Sequence, residues 1–453
     1  MMSLADAALM AQGRTSGGNP VFTGVSTDTR SLRAGDLFVA LRGERFEGHD
    51  FLAQAKAAGA CAAMVERAYR GEYPVPVIVV ADTKLALGAL ARGWRSRFAP
   101  VLIAVTGSNG KTTVKEMLAS ILSVHARGEA AGDAAVLATA GNLNNDIGLP
   151  LTLLRLDEHH RWCAIELGMN HKGEIAYLAD IAQPTVALVN NAQREHLEFM
   201  RSVEEVAAEN ASVYAALPAN GVAVINADDG QAAFFRKAAG QRRVVEFGLD
   251  AAAAVTGRTT PGHLSSELHV RVAGVEAAAT LAIPGLHNVR NALAAAACAH
   301  AAGIGLSSIV KGLAAFRPYV GRLQVKTAGE ATVIDDSYNA NPDSVRAAID
   351  VLAGCPGPTV LVLGDMGEVG SQGPQFHEEI GAYARSRGIS SLLGLGEATR
   401  EAVAAFGAGA QHFDSVEALV PAIRGRTVLV KGSRFMRMER VVAALTGAPG
   451  GGH

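Results

Sequence analysis

The sequence has little of what secreted or nucleic-acid-binding proteins carry. Its four cysteines are widely separated and form neither a CxxC pair nor a dense disulfide framework. We therefore expect a reducing compartment, the cytoplasm. The formal net charge is only -2 and the isoelectric point is near 6.7. Because nucleic acids bind to strongly basic surfaces, this charge balance indicates no nucleic-acid partner.

The sequence also lacks a segment typical of membrane insertion. The N-terminal MMSLADAALM has neither a basic leader nor a sustained apolar stretch, so we expect no signal peptide. The most apolar stretch, residues 292–309, is rich in alanine but is interrupted by His300 and by glycines and serines. This pattern predicts a packed helix followed by a turn. We expect a monomer with no membrane insertion.

The sequence is long, and strand-like segments alternate in it with helix-like segments. Its 453 residues, of which 49% are hydrophobic and 19% charged, suffice for about three globular domains. Strand-like runs at 101–106, 332–336 and 359–366 end in polar loops that open helices. Such alternation indicates an α/β fold with parallel sheets, whose ligands bind at the carboxyl ends of the strands. The predicted domains comprise residues 1–99, 100–318 and 319–453.

The clearest motif is a glycine-rich loop between the first of these runs and an amphipathic helix. Small residues allow backbone N–H groups to surround phosphate oxygens, and the helix N-terminus adds partial positive charge. Residue 105 is valine where the usual GxxxxGK[ST] has glycine, so a simple turn with a solvated lysine is the alternative. The predicted nucleotide-binding residues are Thr106, Gly107, Ser108, Asn109, Gly110, Lys111, Thr112 and Thr113. A second loop ends at Asn341 and Pro342, a pair that predicts a helix cap and first turn.

Longer segments resemble one family in order along almost the whole chain. They are AGNLNNDIGLPLTLL from residue 140, IELGMNHKGEIAYLADI from 165, GLHNVRNALAAAA from 285, DDSYNANPDSVRAA from 335, LGDMGEVG from 363 and VLVKGSRFMRMERVV from 428. With the shortened TGxxGKT loop, these segments resemble the Mur ligase family.

The resemblance implies both a fold and an activity. The fold is a small N-terminal α/β domain that binds a UDP-sugar, a central P-loop ATPase domain with a parallel sheet, and a C-terminal Rossmann-like domain. The activity is that of an ATP- and Mg²⁺-dependent ligase that phosphorylates a carboxylate and joins it to an amine. The segments match the member that adds D-alanyl-D-alanine to UDP-N-acetylmuramoyl-tripeptide, so these are the expected substrates. The DNPR motif of the member that adds the third amino acid is missing, which favours the dipeptide.

The same resemblance assigns roles around the nucleotide. The expected catalytic residues are Lys111, Glu166, His196 and Arg322, of which Lys111 and Arg322 face the γ-phosphate. The expected magnesium ligands are Thr112, Glu166 and His196. The expected adenosine contacts are Asn288 and Asp336. Without the resemblance, each residue has a simpler assignment. These are a rim carboxylate for Glu166, a solvated arginine for Arg322, a structural histidine for His196, and cap or turn residues for Asn288 and Asp336.

Substrate contacts are also carried over from the resemblance. The expected UDP-sugar contacts are Ser26, Thr27, Arg30, Arg45, Phe46, Gly48 and His49. The expected sugar-peptide contacts are Asn142, Asn144, Asn145 and Asp146, whose alternative is a plain turn. The expected dipeptide contacts are Tyr338, Asn339 and Asn341.

One position departs from the family pattern. Many relatives carry a carbamylated lysine about fourteen residues after the magnesium-binding histidine, whereas this sequence has Asn210. An amide cannot be carbamylated, so we hypothesise that a second Mg²⁺ is held differently, for example by Glu209 or water, or more weakly.

Three rival functions remain open at this point. The first is another ligase of the same superfamily, such as a folylpolyglutamate synthase or an earlier Mur enzyme. The second is a P-loop kinase or regulatory ATPase, and the third is a catalytically silent nucleotide-binding protein. A requirement for both the UDP-linked tripeptide and D-alanyl-D-alanine would separate these from the expected activity.

Overall fold

The chain folds around three separate main sheets. The structure is a computed structural model and describes residues 1–43, 46–195 and 198–447. Two of the predicted residues, Arg45 and His196, lie outside the described residues. In chain order the sheets are five-, nine- and six-stranded, and the strands in each are mainly parallel.

The first sheet has the order β2-β7-β6-β5-β4. Strands β4 to β7 run parallel, and β2 is antiparallel to β7, while β1 and β3 form a separate antiparallel pair. The strands are β1 Met2–Ser3, β2 Arg14–Ser16, β3 Val21–Phe22, β4 Gly24–Ser26, β5 Asp36–Val39, β6 Ala62–Glu66 and β7 Val77–Val80. The helices are α1 Leu4–Met10, α2 Leu52–Ala57 and α3 Thr83–Arg95.

The second sheet has the order β16-β15-β14-β13-β12-β11-β8-β10-β9. Strands β8 to β14 are parallel, and β15 and β16 extend the sheet as an antiparallel hairpin. The strands are β8 Val101–Thr106, β9 Val136–Ala138, β10 Trp162–Glu166, β11 Val186–Val189, β12 Val222–Asn226, β13 Arg243–Gly248, β14 Val255–Pro261, β15 Ser266–Val272 and β16 Val275–Leu281. The helices are α4 Lys111–Gly128, α5 Gly148–Leu153, α6 Glu174–Ala182, α7 Val203–Ala211, α8 Ala232–Ala239, α9 Leu286–Ala301 and α10 Leu306–Ala315.

The third sheet has the order β17-β18-β22-β19-β20-β21, and only β17 is antiparallel to its neighbour. The strands are β17 Gln324–Ala328, β18 Ala331–Asp336, β19 Thr359–Gly364, β20 Ser391–Leu395, β21 Ala410–Phe413 and β22 Thr427–Lys431. The helices are α11 Pro342–Ala353, α12 Gly373–Ser386, α13 Thr399–Phe406, α14 Val416–Leu419 and α15 Glu439–Thr446.

Strand β8 shows how the central sheet is buried on both faces. Successive side chains of a strand point to opposite faces. Leu102 and Ala104 accordingly pack into the cluster that contains α3, whereas Ile103 and Val105 pack into the cluster that contains α4 and α9. Because both faces are covered, the strand reads as a continuous apolar run, VLIAVT. Its carboxyl end therefore carries the first residues that can meet a ligand.

The alanine-rich stretch near residue 300 forms the predicted packed helix and turn. Most residues of helix α9 are buried, and a turn at 302–305 leads into α10. In the part of the chain that the structure describes, no helix combines the length and apolar character needed to cross a bilayer.

Candidate active site

The glycine-rich loop connects the end of β8 to the start of α4. Gly107 has φ +125° and Gly110 has φ +82°, a region that residues with a side chain rarely adopt. A Cβ at Gly107 would also lie 2.9 Å from the backbone nitrogen of Asn190, and one at Gly110 would collide with the Asn291 amide. Both glycines are therefore required by the backbone and by its neighbours.

The N-terminus of α4 is open to a ligand. Its N-cap is Gly110, which provides no side-chain hydrogen bond to the first turn. The first-turn N–H groups of a helix have no partners within the helix, and they carry the positive end of its dipole. An 18-residue helix that begins in this way forms an anion site.

Lys111 is held close to the same loop. Its Nζ donates to the carbonyl oxygens of Gly107 at 2.6 Å and Ser108 at 3.1 Å. It also forms an ion pair with Oε1 of Glu195 at 3.1 Å. These contacts keep the ammonium group over the loop, where the outer phosphates of a nucleotide would lie.

Glu166 ends β10, which is adjacent to β8, and Val105 lies opposite Glu166 in the register. Its Oε1 accepts hydrogen bonds from the Thr112 hydroxyl at 3.2 Å and from the Asn144 amide at 2.8 Å. Its Oε2 is buried and has no hydrogen-bond partner among the described residues. Since a buried carboxylate oxygen without a partner is costly, this atom fits a bound cation beside the loop.

The loop that follows β11 holds the glycine-rich loop in place. The amide of Asn190 donates to the carbonyl oxygen of Asn109 at 2.7 Å, and Oδ1 of Asn191 accepts from the Asn109 backbone at 2.8 Å. The Asn109 amide in turn donates to Gln193 at 2.7 Å. None of the loop-fixing residues at 190–193 was assigned a role from the sequence. The sequence contains a signal for these residues, because the polar run NNAQ directly follows the strand TVALV and so lies at the carboxyl end of a strand.

The position that departs from the family pattern is buried beneath the loop. Asn210 is fully buried; its Oδ1 accepts from the Thr106 hydroxyl at 2.6 Å, and its amide donates to the Val206 carbonyl at 3.0 Å. The carboxylate of Glu209 accepts from the backbone of Gly173 at 2.8 Å and Ile175 at 2.9 Å. Glu209 thus caps the start of α6, so the structure argues against the hypothesis that it holds a second metal.

Arg322 reaches the site from the third domain. Its guanidinium carbon lies 4.2 Å from the centre of the Tyr338 ring, a cation–π contact that orients the side chain. Its Nε is buried and has no hydrogen-bond partner within the described part of the chain. A buried guanidinium nitrogen in this state fits an anionic ligand, as the predicted role at the γ-phosphate requires.

The third-domain loop before α11 is tied to the central domain. Asn341 caps α11 by accepting from the Ser344 backbone at 2.8 Å, as the Asn-Pro pair predicted. Its amide also donates to Oδ1 of Asn109 at 2.9 Å. Lys431 fixes the start of the loop by donating to Asp336 at 2.5 Å and to the Asn339 carbonyl at 2.9 Å.

These elements enclose two adjoining cavities of about 770 Å³ and about 400 Å³. The predicted residues that line the larger cavity are Ser108, Asn109, Gly110, Lys111, Thr112, Thr113, Asn142, Asn144, Asn145, Asp146, Glu166, Arg322, Tyr338, Asn339 and Asn341. Those that line the smaller are Asn109, Gly110, Thr113, Asn288, Arg322 and Asp336. Both cavities are lined by the loop and by Arg322, so they meet at the proposed position of the phosphates.

The smaller cavity has the character of a nucleoside pocket. The Asn288 amide donates to the Pro284 carbonyl at 2.8 Å and lies 3.0 Å from Nε2 of His287. Burial, together with the nearby positive charge of Lys431, lowers the pKa of His287 to about 4. A neutral imidazole therefore faces this cavity at neutral pH. His287 and Lys431 were not assigned roles from the sequence.

The asparagine-rich loop at 142–146 forms a local turn and also contributes residues to the wall of the larger cavity. Oδ1 of Asn145 accepts from the backbone of Gly148 at 2.8 Å and caps α5. Asp146 pairs with Lys84 of the first domain at 2.8 Å. The simpler turn alternative therefore describes Asn145, although Asn142, Asn144, Asn145 and Asp146 also line the larger cavity.

The structure does not bring the predicted UDP-sugar residues into this cleft. Ser26, Thr27, Arg30, Phe46, Gly48 and His49 belong to the first domain and line neither cavity. His49 is 2% exposed; its Nδ1 contacts the Glu47 carboxylate, and its Nε2 accepts from the Glu66 backbone at 2.9 Å. Arg30 instead pairs with Asp28 on the surface. His49 is thus held within its own domain, and the predicted UDP-sugar contacts of this group, His49 included, stay a prediction.

Comparison with protein families matches three models along the chain. The Mur ligase family catalytic-domain model matches residues 21–95, the Mur ligase middle-domain model matches 105–299, and the Mur ligase glutamate ligase-domain model matches 321–434. The chain belongs to the Mur ligase family. The predicted family and the predicted α/β class are confirmed.

Individual relatives give a narrower comparison. The chain is 41% identical over 450 residues, covering 96% of each chain, to the Escherichia coli K12 protein named UDP-N-acetylmuramoyl-tripeptide--D-alanyl-D-alanine ligase. A crystal structure of MurF from Acinetobacter baumannii superposes with a TM-score of 0.91 at 35% identity, covering 98% of this chain and 99% of the other. The structure of MurF ligase from Thermotoga maritima in complex with ADP has a TM-score of 0.81 at 25% identity, covering 94% and 98%.

Proposed function

We propose that this chain is the ATP-dependent ligase that joins D-alanyl-D-alanine to UDP-N-acetylmuramoyl-tripeptide in peptidoglycan precursor synthesis. The relative that is 41% identical over nearly the whole of both chains carries this name, and the superposing Thermotoga protein is an ADP complex. The family and these relatives favour this function over the rival kinase, ATPase and silent-protein functions.

The observation that carries the proposal is the convergence of groups from two domains on one phosphate position. Lys111 and the N-terminus of α4 come from the central domain, whereas Arg322 comes from the third domain. Phosphoryl transfer depends on positioning and on neutralising charge at the γ-phosphate. A site that needs both domains also needs them to close, which excludes water from the reactive intermediate.

We propose that Mg²⁺ is held by Glu166 and Thr112, with His196 as a further ligand outside the described residues. The described residues contain no ready-made group of three or more His, Cys, Asp or Glu side chains around a metal position. The ion would therefore depend on the nucleotide phosphates and water for its other ligands, as Mg²⁺ commonly does. When bound, it supplies positive charge against the phosphate oxygens.

The reaction has two chemical steps, and both take place near the position where the two cavities meet. The terminal carboxylate of the tripeptide attacks the γ-phosphorus of ATP, the bond to the bridging β,γ-oxygen breaks, and ADP leaves. The neutral amine of the dipeptide then attacks the acyl carbon, the bond to phosphate breaks, and the amine loses its proton to solvent. The adenosine would occupy the smaller cavity, and the peptide substrates would meet in the larger one, next to Arg322.

The remaining assignments follow the same proposal. The domains would be residues 1–99, 100–318 and 319–453, with the UDP-sugar on the first. We also propose a cytoplasmic monomer, because the described cysteines are all free and the whole cleft is assembled within one chain.

A coupled assay tests the function directly. Phosphate release should require ATP, Mg²⁺, UDP-N-acetylmuramoyl-tripeptide and D-alanyl-D-alanine together, and mass spectrometry should find the pentapeptide product. Lys111→Ala should lower kcat by roughly 10³-fold or more, because a charge at the transferring phosphoryl group is lost. Lys237→Ala, which changes an exposed lysine on α8, should leave kcat unchanged. Phosphate release without both peptide substrates would contradict the proposal.

A further inference from the structure

The incoming dipeptide carries a carboxylate that has no partner among the residues assigned so far. Its amine must reach the acyl phosphate, so its carboxylate lies a dipeptide length away from the phosphate position. Tyr338, Asn339 and Asn341 are neutral. A carboxylate taken out of water needs a cation or several hydrogen-bond donors.

Five described basic residues line the larger cavity: Lys84, Lys111, Lys172, Arg322 and Arg434. Four of these belong to other parts of the cleft, outside the third-domain loop. Lys84 pairs with Asp146 at 2.8 Å and Lys172 pairs with Glu205 at 2.9 Å. Lys111 and Arg322 lie at the phosphate position. Arg434 lines the larger cavity but not the smaller one, and it remains as the candidate partner of the dipeptide carboxylate.

Arg434 lies beside the loop that was expected to bind the dipeptide. It follows β22, whose neighbour in the sheet is β18, and β18 leads into that loop. The hydroxyl of Ser433 donates to the Ala340 carbonyl at 3.1 Å and accepts from the Gly367 backbone at 2.7 Å. These bonds fix the segment that carries Arg434 against the loop.

Glu439 orients the Arg434 side chain but uses only part of its hydrogen-bond donors. Its Nη1 donates to Oε1 of Glu439 at 3.0 Å, and the Glu439 side chain is 15% exposed whereas that of Arg434 is 41% exposed. This is the one hydrogen bond that the Arg434 side chain makes within the described residues. Its other N–H groups therefore remain available, and the planar fork of a guanidinium matches a carboxylate.

The charges of two guanidinium groups act on the phenol of Tyr338. Burial raises the pKa of its phenol, and the charges that counter this include first Arg322 and then Arg434. Arg322 stacks on the ring and marks the phosphate side. Arg434 follows Ser433, whose hydroxyl donates to the Ala340 carbonyl of the same loop.

We propose that Arg434 binds the C-terminal carboxylate of the incoming dipeptide, with Glu439 as a positioning residue. The dipeptide then lies across Tyr338, its amine towards Arg322 and its carboxylate towards Arg434. This inference rests on the proposed function, because it assumes a dipeptide substrate. It makes the free carboxylate a requirement for efficient use of the amine substrate.

The test compares two amine substrates in three enzymes. Wild type, Arg434→Met and Arg434→Lys are assayed with D-alanyl-D-alanine and with D-alanyl-D-alaninamide, which lacks the negative charge. In Arg434→Met, KM for the dipeptide should rise about 10- to 100-fold because a charged hydrogen bond is lost, while kcat and ATP affinity stay unchanged. The lysine variant should recover part of the loss.

The charge-specific result is the ratio of the two KM values. Wild type should prefer the acid to the amide by about 10- to 100-fold, and Arg434→Met should not distinguish them. Arg440→Met, an exposed arginine on α15, should keep the wild-type ratio. If Arg434→Met still prefers the acid as strongly as wild type, the inference is wrong. If wild type itself does not use D-alanyl-D-alanine, the proposed function fails instead.

Discussion

Arg194 of the central domain forms a two-point ion pair with Asp343 of the third domain. Its Nε and Nη2 lie 3.0 Å and 2.6 Å from Oδ1, and its backbone nitrogen donates to Oδ2 at 2.9 Å. The other edge of the guanidinium donates to Glu379 at 2.8 Å, and these partners raise the pKa of Arg194. The contact lies between the loop after β11 and the start of α11, so it ties the third domain to the central domain beside the nucleotide site.

Arg194→Met should therefore favour an open arrangement of the third domain. Loss of these charge-assisted bonds should weaken closure by about 1–3 kcal/mol, and kcat should fall because Arg322 is less often in place. Small-angle X-ray scattering should show a larger radius of gyration than wild type. Arg236→Met, which breaks a pair with Glu246 inside the central domain, should not change the radius. Identical scattering from Arg194→Met and wild type would show that this ion pair does not control closure.

Glu209→Ala should destabilise the fold without changing magnesium binding. The carboxylate caps α6 through two backbone N–H groups, and their loss should lower the free energy of unfolding by about 1–3 kcal/mol. Urea unfolding measures this change, with the exposed Glu204→Ala on the same helix as control. The Mg²⁺ dependence of ATP binding should match that of wild type. A weaker Mg²⁺ response would instead support Glu209 as a metal ligand.

Activity should not depend on bicarbonate. The position expected to carry a carbamylated lysine holds Asn210, which is fully buried and hydrogen-bonded to Thr106. An amide cannot take up CO₂, so removing CO₂ from the buffer should leave kcat unchanged. The measurement is the phosphate-release assay in degassed buffer with and without added bicarbonate. Stimulation by bicarbonate would locate a carbamylated lysine elsewhere in the chain.

Stability should fall in mildly acidic solution because of His287. Its pKa in the folded protein is about 4, below the ordinary value of about 6.5. Between these two values the unfolded chain binds a proton that the folded protein does not, so the free energy of unfolding decreases as the pH falls from about 6.5 to about 4. Urea midpoints across this range should show a smaller decrease for His287→Gln than for wild type. Parallel curves would contradict the prediction.

The strand-loop-helix units could be predicted from the sequence because their signals are local. The run at 101–106 is a strand as expected, and Asn341 with Pro342 begins a helix through a cap. Apolar periodicity and cap residues lie within a few positions of the elements they define. The fold class and the glycine-rich loop therefore follow from the order of residues alone.

The supporting residues of the site could not be predicted in the same way. Asn190 contacts Asn109 because β11 lies next to β8, and Lys431 reaches Asp336 because β22 lies next to β18. Strand order places these residues together, and it is not encoded in a local pattern. His49, in contrast, was identified from the sequence, but the fold does not bring it to the cleft. It is buried within its own domain and bonded there through both ring nitrogens.

The two cavities share a boundary at the glycine-rich loop and Arg322, and this geometry has a consequence for inhibition. A single compound that carries an aromatic base at one end, a phosphate mimic in the middle and an acidic tail at the other could occupy both spaces at once. Such a molecule would bridge two domains, so its binding energy would also stabilise the closed enzyme. Resistance by substitution would then have to preserve contacts that the enzyme needs for its own substrates.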